Sequence, residues 1–104
     1  MKKIKVIIAD DHLVFRLGLE GVLVRIFKTI DCFQVGNGAE VIKIVEEQMI
    51  DLIILDLEMP EQNGYATLEK LNKMTNRPKV IVMSFHDDVF TVLKCVTSGA
   101  HGYL

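Results

Sequence analysis

The sequence has no tryptophan, only two cysteines and two prolines, and no marked excess of either charge: 12 basic residues stand against 14 acidic ones, for a formal net charge of −2. Each shortage excludes a class of protein. A nucleic-acid-binding surface needs a basic face, and this balance does not supply one. Cys32 and Cys95 sit alone in apolar surroundings, Ile-Asp-Cys-Phe and Leu-Lys-Cys-Val. Without CxxC or His spacing they read as buried thiols, not as a disulfide framework or a zinc site. No apolar run approaches the roughly 20 residues of a membrane span. The start, Met-Lys-Lys-Ile-Lys, carries the charge of a signal-peptide n-region. Asp10 and Asp11 nevertheless cut the following apolar stretch, Val6 to Ala9, too short for an h-region. The expectation is a cytoplasmic chain that engages no membrane. What the chain does have is apolar content: half of it is hydrophobic and a quarter is charged, which is too apolar for disorder. Its 104 residues suit one domain, 1–104, able to bury roughly 65% of its unfolded surface.

Short apolar runs alternate with longer helical periodicities, and no repeat, linker or low-complexity tract interrupts them. Ile4 to Ala9, apolar and largely β-branched but for Lys5, is the mark of a strand buried on both faces. From His12 to Lys28 a helical stripe runs through Phe15, Leu19, Val22, Leu23 and Ile26, the expected core face of a first helix. Ile30 to Val35 reads as a second strand, with Gly36-Asn37-Gly38 as a turn. Ala39 to Gln48 gives a helix with Val41, Ile42 and Val45 inward, and Asp51 to Asp56 a buried strand. After a loop from Met59 to Gly64, Tyr65 to Met74 is helical with Leu68 and Leu71 inward, and Asn76-Arg77-Pro78 stops it. Lys79 to Phe85 is a further strand, Asp87 to Ser98 a helix ended by Gly99, and Ala100 to Leu104 a fifth strand. This alternation means right-handed βαβ units around a parallel sheet.

In such a sheet the working site lies at the carboxyl ends of the strands. The polar groups there are Asp10 and Asp11 after the first strand, Asp56 at the end of the third and Ser84 near the end of the fourth. Crowded carboxylates repel and need a counter-ion. Oxygen-only ligands suit a hard cation such as Mg²⁺. A cation there would ease the approach of a phosphoryl group to Asp56, and an aspartate can attack phosphorus to form an aspartyl-phosphate. Ser84 is placed to donate to a phosphoryl oxygen. Taken singly, each Asp is more often a cap or turn former, and Asp11 or His12 would cap the first helix. Taken together, at the ends of apolar strands, they favour the site.

Those residues carry a family resemblance. Ala9-Asp10-Asp11-His12, Leu55-Asp56-Leu57-Glu58-Met59-Pro60 with Gly64, Val82-Met83-Ser84 and Gly99-Ala100-His101-Gly102-Tyr103 resemble, across the whole chain, the receiver domain of bacterial two-component response regulators. The segment from Ala9 to Leu19 resembles the subfamily whose output domain is a LuxR-type helix-turn-helix. The resemblance implies a flavodoxin-like α/β fold, a doubly wound five-stranded parallel sheet in the order 2-1-3-4-5. It implies a phosphoacceptor signalling module rather than an enzyme, with at most weak self-dephosphorylation. Asp56 would take a phosphoryl group from the phosphohistidine of a sensor histidine kinase. Asp11, Asp56 and the backbone carbonyl of Glu58 would ligate Mg²⁺, with Asp10 acting through water. Ser84 would swing toward the phosphoryl group, and Tyr103 would turn inward as the switch aromatic. Pro60 and Gly64 would shape the loop beside the site. The shift would be read at the surface from Asp87 to Leu104, and would control transcription through a DNA-binding output domain that this chain does not contain.

The chain departs from the family pattern at its end. The lysine that pairs with the phosphoryl group would fall just past Leu104, and neither Lys79 nor Lys94 fits its role. The family's last helix is likewise expected to be absent. That leaves an apolar flank around Phe15 and Leu19, through which self-association is expected. Glu58 and His86 occupy the variable positions that tune water access in the family; from residue type alone they read as an exposed loop acid and a helix-start residue. His12 reads as a capping or loop residue rather than a metal ligand, because the cluster is all oxygen. Two rivals fit less well. An aspartate-nucleophile phosphatase would need a second Asp where Glu58 stands, together with a catalytic lysine and a cap domain. A nucleotide site on Gly36-Asn37-Gly38 lacks its third glycine, which would fall at Val41, and follows the wrong strand. A degenerate receiver acting only as an interaction module remains the alternative to phosphotransfer.

Overall fold

The computed structural model describes residues 3–27, 29–57, 64–75, 77–83 and 102–103. In order these form β1 (Ile4–Ala9), α1 (Leu13–Ile26), β2 (Ile30–Val35), α2 (Gly38–Glu47), β3 (Leu52–Asp56), α3 (Gly64–Asn72), β4 (Lys79–Met83) and β5 (Gly102–Tyr103). The five strands make one parallel sheet in the order β2-β1-β3-β4-β5, the doubly wound arrangement expected from the sequence. The expected helix from Asp87 to Ser98 lies outside the described residues.

The sheet divides the core by side-chain parity. Ile7, Ala9, Val35, Ile53, Leu55, Val80 and Val82 face one side and pack with Val41 of α2 and with Leu68 and Leu71 of α3. Val6, Ile8 and Ile54 face the other and pack with Leu23 of α1, with Leu19, Phe27 and Cys32 at the margin. Apolar runs, Val6 to Ala9 and Leu52 to Leu55, form β1 and β3 because both faces are covered. Asn37 caps α2: its side-chain oxygen accepts from the Glu40 amide at 2.9 Å, and Glu40 Oε1 accepts from the Gly36 amide at 3.2 Å.

Helix α1 corrects the sequence reading. Leu23 is its one buried residue and Leu19 is half-buried, but Phe15, Val22 and Ile26 are exposed, by 42%, 52% and 63%. Leu13, Val14, Leu17 and Val24 are exposed as well. The helix is apolar nearly all round, so its sequence does not single out the side that meets the sheet.

The amino edge of the sheet is joined through Asp51. Its Oδ2 accepts from the Lys5 amide at 2.8 Å, its amide donates to the Lys5 carbonyl at 2.9 Å, and its carbonyl accepts from the Lys79 amide at 3.2 Å. The opposite, carboxyl edge carries the polar groups considered next.

Candidate cation and phosphoacceptor site

Register brings two carboxylates together. Ala9 pairs with Leu55 across β1 and β3, so the next residues, Asp10 and Asp56, end adjacent strands side by side. Asp56 shares the parity of Leu52 and Ile54, and Asp10 that of Val6 and Ile8, so both lie on the α1 side. Both are buried, at 6% and 5% exposure. Asp11 follows in the turn before α1 and is exposed. One ligand atom from each of Asp10, Asp11, His12 and Asp56 lies within 4.8 Å of all the others.

Local hydrogen bonds shape that turn. Asp10 Oδ1 accepts from the His12 amide at 2.8 Å, an Asx turn, while the Asp10 amide donates to the Val35 carbonyl at 3.1 Å. His12 is the N-cap residue of α1, as one sequence reading allowed, but its side chain makes no capping bond. The ring turns back instead: Nδ1 lies 2.8 Å from Asp10 Oδ1 and 3.0 Å from Asp11 Oδ1. The hydrogen bond to Asp10 and the charge of Asp11, followed by the charges of Asp10 and Asp56, raise the His12 pKa above its ordinary 6.5.

Arg16 fixes the turn from behind. Its Nη1 donates to the Asp10 carbonyl at 2.6 Å and its Nε to Gln34 Oε1 at 3.4 Å, while Gln34 Nε2 donates to Glu20 Oε1 at 2.8 Å. The sequence reading missed Arg16. The available signal was its place one helical turn after His12, where a side chain leans back toward the N-terminus. On the other flank Gly64 abuts the end of β3. Its amide donates to the Leu57 carbonyl at 3.1 Å. A Cβ there would stand 2.5 Å from Leu57 Cα and 2.7 Å from the Asp56 carbonyl oxygen, so only glycine fits this close approach.

Of the residues expected at the site, the structure brings together Asp10, Asp11 and Asp56. Glu58, Pro60, Ser84 and His86 lie outside the described residues. Tyr103 pairs with Val82 through its backbone in β5, while the switch role expected for its ring and the surface from Asp87 onward also fall outside. The three carboxylates supply the oxygen donors that Mg²⁺ takes, so the donor set fits that ion.

Comparison with known proteins identifies the family. Residues 6–104 match the family model described as the response regulator receiver domain. The transcriptional regulatory protein DegU of Brevibacillus brevis is 33% identical over 102 residues, which cover 98% of this chain and 43% of that protein. The nitrate/nitrite response regulator protein NarL of Escherichia coli K12 is 34% identical over 102 residues, covering 95% of this chain and 46% of that protein. The chain thus spans less than half the length of these relatives. Among solved structures, the receiver domain of Francisella response regulator 1452 superposes with a TM-score of 0.89 at 25% identity, covering 98% of this chain and 83% of that one. The chemotaxis protein CheY4 of Vibrio cholerae superposes with a TM-score of 0.90 at 18% identity, covering 99% and 86%, a likeness of fold alone.

Proposed function

The chain belongs to the response regulator receiver domain family, and from that premise we propose that it is a phosphoacceptor switch charged at Asp56 in a Mg²⁺-dependent reaction. The observation that carries this reading is the meeting of Asp10, Asp11 and Asp56 at the carboxyl edge of the sheet, with ligand atoms within 4.8 Å. Asp11, Asp56 and the Glu58 carbonyl are the proposed direct ligands, with Asp10 acting through water. A bound Mg²⁺ would neutralise these carboxylates and draw a phosphoryl group toward them. An Asp56 carboxylate oxygen attacks the phosphorus of a phosphohistidine, the P–O bond forms as the P–N bond breaks, and the imidazole leaves with the electron pair. Ser84 then donates to a phosphoryl oxygen, and the Tyr103 ring turns into the space that Ser84 vacates, giving two states biased by one local charge.

On this reading the donor is a sensor histidine kinase in the cytoplasm, and residues 1–104 form one signalling domain. In the whole protein the switch controls a DNA-binding output of the kind expected of regulators resembling DegU and NarL. The test is incubation with a small-molecule phosphodonor and Mg²⁺. Acid-labile phosphate should appear on the wild type and vanish in Asp56→Asn. No incorporation at saturating donor would identify a pure interaction module, and multiple turnover of a phosphate ester would identify a phosphatase.

We also propose that the apolar flank of α1 around the exposed Phe15 and the half-buried Leu19, with the exposed Val22 and Ile26 beside it, drives self-association. Sedimentation velocity should show the mean mass rising with concentration. A monomeric mass at high micromolar concentration would overturn this.

A further inference from the structure

The His12 ring joins a set of donors that is otherwise all oxygen. Its Nδ1 stands 2.8 Å from Asp10 Oδ1 and 3.0 Å from Asp11 Oδ1. Two donors bound at roughly 2.1 Å to one cation, on neighbouring octahedral corners, are about 3 Å apart. The nitrogen and the Asp11 carboxylate, the direct ligand beside it, therefore already have the spacing of neighbouring ligands around a shared ion. The ring is held there by the turn itself, because the His12 amide donates to Asp10 Oδ1 at 2.8 Å and the extended backbone of the N-cap residue directs the side chain away from the helix end. Exchanging the Nδ1 proton for a cation alters what lies between nitrogen and oxygen and leaves their separation nearly unchanged.

Donor type decides which cation gains. Carboxylates and water suit Mg²⁺, whereas imidazole suits the later first-row ions, whose affinity for nitrogen climbs along the series toward nickel and copper. We propose that His12 Nδ1 is a nitrogen ligand at this site, so that the site takes Co²⁺ or Ni²⁺ with a preference over Mg²⁺ that three carboxylates alone would not give. This rests on reading the cluster as a cation centre, and it adds a second class of cation to the same seat.

The chain has three histidines, His12, His86 and His101, so the test must assign the nitrogen. In the Co²⁺-loaded protein, the proton NMR spectrum should contain a strongly shifted, exchangeable imidazole N–H resonance. It should persist when His86 and His101 are both replaced by Gln and disappear in His12→Ala. By calorimetry, His12→Ala should lower Ni²⁺ affinity roughly tenfold or more, as lost ligand-shell groups do, and leave Mg²⁺ affinity within about twofold. A Co²⁺ spectrum without the shifted resonance, or an unchanged Ni²⁺ to Mg²⁺ affinity ratio in His12→Ala, overturns the assignment. If Mg²⁺ still binds the wild type and is lost in Asp11→Asn, the cation reading survives that failure. If the wild type binds none of these ions, both readings fall.

Discussion

Cys32 lies half-buried on β2, on the α1 side of the sheet, with Glu20 beside it. Burial first, then the charge and hydrogen bond of Glu20 and the charge of Asp31, push its thiol up to about 12. The thiolate is the reactive form, so Cys32 should alkylate at pH 8 at least roughly tenfold more slowly than an exposed model thiol. Peptide mapping after timed iodoacetamide treatment measures this, and parity with the model thiol would refute it. His12 shifts upward by a different route, through carboxylates rather than burial. With EDTA present, its NMR titration midpoint should lie above 6.5 and fall toward that value in Asp11→Asn. The sign follows from linkage. A pKa raised on folding means the folded state holds its proton more tightly, so this contribution is complete below 6.5 and is lost as pH climbs through the raised folded value. The three aspartates were legible because each ends an apolar strand or follows one directly. The direction of the His12 ring was not legible, because a turn that doubles back obeys neither helix nor strand parity.

Elements set the tolerance of these residues to change. At Gly64 a methyl group would press on backbone at the end of β3, so relief requires moving the strand that carries Asp56. Gly64→Ala should cost about 2 kcal/mol or more in urea unfolding, the scale of forced overpacking. A loss within experimental error would mean that the α3 entry yields freely. Asn37→Ala removes one side of the α2 cap and should cost about 1 kcal/mol. The same method should detect this without loss of Mg²⁺ binding. Strand limits were read well: β1 and β2 fall where their apolar runs do, and β3 begins only one residue late. The faces of α2 and α3 were also legible, through Val41, Leu68 and Leu71, because polar residues fill their opposite sides. The face of α1 was misread. Phe15, Val22 and Ile26 satisfy a helical period, yet so do several neighbours, and contact with the sheet at Leu19 and Leu23 decided among them.

For the whole molecule, the carboxylate cluster crowds three like charges, which the proposed cation would neutralise. Anything that binds the folded state alone stabilises it by mass action, by about 2.7 kcal/mol at a hundred times its Kd. Saturating Mg²⁺ should therefore raise Tm by several degrees, with EDTA reversing the rise. At a pH above the His12 midpoint the pairing with Asp11 no longer contributes. There Asp11→Asn should raise the Tm of the metal-free protein by relieving that repulsion, and should abolish the Mg²⁺ response. A Tm insensitive to Mg²⁺ in the wild type would contradict the cation reading. The fold class was legible because alternating strands and helices leave few topologies open.

The Asp51 junction bears on how such a molecule can move. At one end of the sheet a single aspartate joins β1, β3 and β4, through its side chain and amide to Lys5 and through its carbonyl to Lys79. Three of the five strands are thus tied at the amino rim. Asp56 sits at the far rim, away from these bonds. Substitution of Asp51 thus loosens the rim away from the carboxylates and leaves their own hydrogen bonds in place.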